Sequence, residues 1–108
     1  MIGVRFLAEA VCLLVTLSQP SYAADDLKQG EALLTRDCAR CHAVGPAGNS
    51  PRADAPAFRT LSSRYPIESL EEALGEGIMS GHPDMPEIKY DADDVGVIID
   101  YLKSIQQR

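Results

Sequence analysis

The sequence lacks a hydrophobic run long enough to cross a bilayer, and it lacks an excess of positive charge. Its longest apolar stretch, residues 6–17, is interrupted by Glu9, whereas a membrane-spanning helix needs about 20 consecutive apolar residues. The 108 residues include 10 Lys and Arg against 16 Asp and Glu, a net charge of −6. A chain this acidic is a poor ligand for nucleic acid. We therefore expect neither a nucleic-acid-binding protein nor one that stays inserted in a membrane.

Patterns of alternating apolar and polar residues that would indicate β-strands are also missing, as are internal repeats and low-complexity tracts. No nucleophile–base pair and no pair of carboxylates at catalytic spacing is evident, so the sequence does not indicate acid–base or hydrolytic chemistry. Its length allows one small domain. The expected fold class is all-α.

The first 23 residues have the order of a secretory signal peptide. Arg5 precedes the apolar stretch, and Ser21 and Ala23 place small residues where a signal peptidase cleaves. We expect a signal peptide over residues 1–23 and a mature, soluble domain over 24–108, periplasmic or otherwise exported. An uncleaved N-terminal anchor is the alternative. Cleavage would remove Cys12, and the oxidising conditions outside the cytoplasm would not leave the remaining two thiols free.

Three helices and two loops are predicted in the mature chain. Residues 25–37 have apolar side chains on one helical face, and residues 66–77 begin with proline and end in glycine. Residues 91–107 form the clearest helix, with Asp91 as the N-terminal cap and an unbroken apolar stripe. The loops cover residues 43–60 and 78–90. A small domain with such long loops usually binds something with them.

The stretch DCARCHAVG contains Cys38, Cys41 and His42, which suit a thiol redox pair, a zinc site or covalent haem. A redox pair is disfavoured because such motifs begin a helix beside a β-sheet, and here the motif follows a helix. Zinc would need His82 as a fourth ligand and both Cys41 and His42 on one ion, although adjacent helical residues point about 100° apart. Cys-x-x-Cys-His is the attachment signature of haem c. The sequence favours one covalently attached haem c, with Cys38 and Cys41 as its thioethers and His42 on the iron.

A second iron ligand should come from the far side of the haem, and the candidates are Met79, His82 and Met85. A methionine thioether is a soft, neutral ligand that raises the reduction potential. Met79 ends an apolar run, which is typical of a packing residue. Met85 lies in a polar stretch between Asp84 and Pro86, where it has no apolar face to pack against. Met85 is therefore the preferred distal ligand.

With CARCH and HPDMPEI in this order among three helices, residues 25–107 resemble a small class I cytochrome c. The resemblance implies thioethers at Cys38 and Cys41, a proximal ligand at His42 and a distal ligand at Met85. It also implies that a proline carbonyl accepts the Nδ1 proton of His42, and Pro56 is the best match, ahead of Pro46 and Pro51. The fold implied is all-α, with N- and C-terminal helices that cross and a middle helix and loops that enclose the haem.

In this family a glycine on the first helix meets an aromatic residue on the last, and Gly30 and Tyr101 match those positions. Unlike familiar members, this chain has no tryptophan. Tyr65, Arg59 and Arg64 are candidates for binding a haem propionate. The alternative is that they are solvent-exposed loop residues that bind no ligand.

The function expected is that of a periplasmic monohaem carrier of single electrons between redox-partner proteins, not an enzyme. Both axial positions of the iron would be filled, so no substrate could bind. The alternatives are a haem-bearing subunit of an exported dehydrogenase or oxidase complex, and a five-coordinate gas-binding or peroxidatic protein if Met85 does not ligate. Residues 36–64 hold five arginines against two aspartates, and residues 65–108 ten acids against three bases. We expect a transient, electrostatically steered partner with an acidic rim.

Overall fold

A computed structural model describes residues 3, 11–16, 22–77 and 87–107. Helix α1 spans Tyr22–Cys38, α2 spans Leu70–Glu76 and α3 spans Ala92–Ile105. Two short 3₁₀ helices, Phe58–Ser63 and Ile67–Ser69, lie between α1 and α2. No strand occurs in these ranges, which confirms the all-α expectation. None of the helices over the same ranges is long and apolar enough to cross a membrane.

Helix α3 forms as the sequence predicts. The Asp91 carboxylate accepts a hydrogen bond of 2.8 Å from the backbone N–H of Asp94, which satisfies one of the free donors of the first turn. The apolar stripe of α3 faces the core, where its buried members are Val95, Ile98, Ile99 and Leu102. The helix ends at Ile105, two residues before the predicted boundary.

Helices α1 and α3 cross at Gly30. A Cβ atom at Gly30 would overlap the carbonyl oxygen of Val97 and would come within 2.8 Å of the Cβ of Tyr101. Leu34 and Ile98 are buried beside this crossing. Gly30 thus permits the close approach that a side chain would prevent, and this is the pair that the family resemblance implies.

Between α1 and α2 the structure departs from the predicted boundaries. The loop that was expected to reach residue 60 ends at Ala57, and Phe58–Ser63 is a 3₁₀ helix. Neither glycine nor proline interrupts these six residues, and the Thr60 hydroxyl donates to Ala57 O at 2.7 Å. The predicted helix over 66–77 consists of the 3₁₀ helix Ile67–Ser69 followed by α2, and it ends at Gly77, which has a φ of 110°.

Candidate functional site

The cysteine motif lies at the end of α1, on the turn that follows it. Cys38 is the last residue of the helix, and its carbonyl oxygen accepts from the N–H groups of Cys41 at 3.2 Å and His42 at 2.9 Å. These bonds hold the motif in one tight turn. No disulfide joins Cys38 to Cys41. The turn therefore presents two sulfurs and one imidazole from five consecutive residues.

The Cys38 thiol is partly buried against the hydrophobic core. Burial, with smaller contributions from Asp37 and Cys41, raises its pKa to about 11. Redox-active thiols have the opposite property, since a lowered pKa makes the thiolate available. The surroundings of Cys38 thus argue against a thiol redox centre.

The His42 ring is fixed on its edge and on its face. Its Nδ1 lies 2.8 Å from the carbonyl oxygen of Pro56. Because a carbonyl can only accept, Nδ1 must carry a proton, and in the neutral ring the lone pair is then on Nε2. The Phe58 ring stacks on the imidazole with a centroid distance of 4.7 Å and an interplanar angle of 30°. The side chain is thus held in the tautomer and orientation that a metal ligand needs.

The segment after the motif is tied back to it by hydrogen bonds. The backbone N–H of Arg52 donates to Cys41 O at 3.1 Å, and the N–H of Phe58 donates to Ala43 O at 3.0 Å. Ala43 N–H in turn donates to the Ser50 hydroxyl at 3.0 Å. Residues 43–57 are therefore a structured loop that brings Pro56 to His42, although 14 positions separate these two residues.

An ionic network beside the motif was not predicted from the sequence. Arg36 makes two hydrogen bonds to the Asp37 carboxylate, at 2.8 and 2.7 Å, and the Tyr90 hydroxyl donates to the same carboxylate at 2.7 Å. Arg36 first, and Tyr90 as well, lower the pKa of Asp37. Burial and the bond to Asp37 raise the pKa of Tyr90. Asp37 and Tyr90 are 53 positions apart, and no sequence pattern joins them.

The described part of the chain does not test the sequence predictions for the distal ligand or for the propionate ligands. Met79, His82 and Met85 lie outside the described residues, so the distal ligand remains a prediction. Within the described ranges, no three His, Cys, Asp or Glu side chains are grouped as a metal site. Of the propionate candidates, Arg59 donates to Gly48 O at 2.6 Å, and Arg64 and Tyr65 are exposed.

The residues of this turn fit a haem c. Two cysteine sulfurs three positions apart can each form a thioether, and with Nδ1 bound to a carbonyl the lone pair of the neutral His42 ring is on Nε2, which can bind iron. The partner of Nδ1, a backbone carbonyl, is one of the groups that commonly orient metal-bound histidines. The donor set is thus the one that the signature Cys-x-x-Cys-His requires.

Residues 25–102 match the family described as "Cytochrome C oxidase, cbb3-type, subunit III". The chain is also similar to "Cytochrome c-552" of Bradyrhizobium diazoefficiens, with 31% identity over 98 residues that cover 89% of this chain and 92% of that protein. No solved structure matches the chain. The family match covers α1 from Asp25, all of α2 and α3 up to Leu102, and it includes the cysteine–histidine turn. The chain accordingly belongs to this class I monohaem cytochrome c family, and it is a c-type electron carrier.

Proposed function

We propose that the chain is exported and holds a single haem through thioethers at Cys38 and Cys41, with His42 and Met85 on the iron. It would pass single electrons between redox-partner proteins and would have no substrate site. The observation that carries the proposal is the fixed His42 ring, whose Nδ1 donates to Pro56 O, so that Nε2 of the neutral ring carries the lone pair. Such a ring occupies one axial position of an iron permanently, which suits a carrier.

Haem supplies the one-electron couple between ferrous and ferric iron, and the protein sets its potential and surroundings. The role of the protein chain is to hold the iron ligands in fixed positions. The Pro56 carbonyl increases the basicity of His42 through the Nδ1 hydrogen bond. Leu34, Ile98 and Leu102 belong to the buried core against which Cys38 packs. A scaffold that holds its ligands still changes little when the electron arrives or leaves, which favours fast transfer.

Met85 is proposed as the distal ligand on the sequence argument, and both flanks of its segment are anchored in the structure. On the preceding side, Gly77 N–H donates to Ala73 O at 3.0 Å. On the following side, Tyr90 N–H donates to Leu74 O at 3.0 Å, and the Tyr90 hydroxyl binds Asp37. Gly77 and Tyr90 are therefore both held against α2, and Tyr90 is also bonded to the residue before Cys38.

Met85→Ala should convert the oxidised protein from low-spin to high-spin iron and should remove the methionine–iron charge-transfer band. The reason is that loss of the thioether leaves the iron with one protein ligand. Absorption spectra of the purified ferric proteins test this. Met79→Ala is the matched control and should keep both features. A high-spin wild-type spectrum would instead support the five-coordinate alternative, and loss of the band in Met79→Ala alone would assign the ligand to Met79.

Export is proposed from the leader-like residues 1–23. Residues 11–16 of this segment have no regular structure and expose their apolar side chains, with Leu14 88% exposed. Exposed leucine and valine side chains in a row contribute nothing to the core of the domain. Helix α1 begins at Tyr22, so cleavage after Ala23 would remove two residues of that helix and leave the crossing at Gly30 intact.

The docking surface is proposed to be the arginine-rich part of the chain around the cysteine motif. Arg36 is engaged with Asp37, and Arg59 with Gly48 O. Arg40 is exposed between the two cysteines, next to the haem edge that they would hold. An acidic rim on the partner would be attracted to this position.

At high ionic strength, electron transfer to the physiological partner should be about tenfold slower than at low ionic strength. The reason is that salt screens the charges that steer association. Stopped-flow measurement of the second-order rate constant checks this. Arg40→Gln should lower the rate at low salt, whereas Lys103→Gln, which changes an exposed cation paired with Glu68, should not. A rate that does not depend on salt would rule out electrostatic steering.

A second candidate function is a haem-bearing subunit of an oxidase complex, and the description of the matched family favours it. The two possibilities differ in how long the partner stays bound. Affinity purification of the tagged protein from its native membranes, followed by mass spectrometry, should recover no stoichiometric oxidase subunit if the chain is a free carrier. Stoichiometric recovery would support the subunit.

A further inference from the structure

The Gln106 side chain joins the end of α3 to the 3₁₀ helix Phe58–Ser63. Its Nε2 donates to Phe58 O and to Leu102 O, both at 2.8 Å. Its Oε1 accepts from the backbone N–H of Ser62 at 2.8 Å. Both amide donors and the acceptor are thus used, and Gln106 is only partly exposed. Two of these three bonds join Gln106 to backbone groups 44 and 48 positions away, and they fix those groups with respect to α3.

Phe58 is therefore held at both of its backbone groups. Its N–H donates to Ala43 O, next to His42, and its carbonyl accepts from Gln106. The Phe58 ring covers the face of the His42 imidazole, while Pro56 O binds the edge. If the imidazole rotated about its Cβ–Cγ bond, it would lose the hydrogen bond and the stacking together. The position of Phe58 thus sets how firmly the plane of the His42 ring is held.

We propose that Gln106 is a positioning residue for His42, acting through Phe58 on the plane of the imidazole and hence on the direction of Nε2. The inference rests on the proposed role of His42 as iron ligand, and it extends the site to the C-terminal end of α3. Loosening Phe58 weakens the Nδ1–H···O bond to Pro56. A less basic imidazole stabilises ferric iron less, so the reduction potential rises.

Gln106→Ala is expected to shift the ferrous-to-ferric ratio at a fixed ambient potential by about threefold toward ferrous, less than the 10- to 100-fold effects of direct ligand partners. The His42 ring resonances in the NMR spectrum of the ferrous protein should move as well. Gln107→Ala is the matched control. It changes a neighbouring exposed glutamine and keeps the backbone bond from Gln107 N–H to Arg59 O, so both readouts should equal those of the wild type.

The route through Phe58 is tested in a Phe58→Leu background, where adding Gln106→Ala should change the potential no further. An unchanged potential and unchanged His42 resonances in Gln106→Ala, whatever its melting temperature, would overturn the proposal. So would a full-sized effect in the Phe58→Leu background. Gln106→Glu, which removes both donors at nearly constant size, replaces Gln106→Ala if that variant does not accumulate. A wild-type spectrum without a histidine ligand would instead refute the proposed function, before any variant is compared.

Discussion

A variant with both Cys38→Ala and Cys41→Ala is expected to contain no haem that survives acid–acetone extraction, whereas the wild type should retain all of its haem. The thioethers are the only bonds proposed here that acid cannot break, because coordination by His42 is lost when the imidazole is protonated. Each single variant should retain haem through its remaining thioether. The measurement is a pyridine haemochrome assay, with intact mass, on protein matured in a host competent for haem attachment.

The control for this experiment is Cys12→Ala. Cys12 is the third cysteine of the chain and is exposed in the proposed signal peptide, so its loss should change neither haem content nor mature mass. Covalent haem in the double variant would contradict the assignment of the thioethers. A wild type that remains free of haem in a competent host would contradict the proposed function as a whole. A measured mass equal to that of a chain beginning directly after Ala23 would also support cleavage of the signal peptide.

The parts of the fold that could be predicted depend on residues close in sequence. Helix α3 is an example, since the Asp91 cap and the apolar stripe from Val95 to Leu102 are local patterns and the structure reproduces both. The 3₁₀ helix Phe58–Ser63 could not be predicted in the same way. It is held by Gln106, more than 40 positions away, and its own sequence has no strong helical period.

In the candidate site, too, the residues that are close in sequence could be predicted better than the distant ones. The cysteine–histidine turn is contiguous and could be named from five residues, and Pro56 was named only because the family uses a proline there. Phe58 on the face of His42 and Tyr90 on Asp37 were both missed, because stacking and hydroxyl–carboxylate pairs leave no periodic signal. The only sequence feature that could have indicated a role for Phe58 is its aromatic side chain two positions after Pro56. The roles of all the proposed ligands remain predictions that the variants above can test.

Gly30→Val is expected to lower the free energy of unfolding by at least about 3 kcal/mol, at the upper end of the range for overpacked positions. The added side chain would overlap the carbonyl oxygen of Val97, and backbone atoms cannot move aside as a flexible side chain can. The helices α1 and α3 would have to separate, which would open the packing of Leu34 on Ile98. Guanidinium unfolding of the haem-loaded protein, followed by far-ultraviolet circular dichroism, measures the loss.

A test of the steric explanation requires a control glycine, also within a helix, whose Cβ position is unobstructed. Gly96 is such a residue. It lies within α3 next to Val97, yet a Cβ atom there would meet nothing within 4 Å. Gly96→Ala should therefore be neutral or should stabilise the protein by up to about 1 kcal/mol, the difference in helix propensity between the two residues. Gly30→Ala gains the same propensity and should still be destabilised, since its Cβ alone makes the clash. Equal stability of Gly30→Ala and Gly96→Ala would show that the helices do not cross at Gly30.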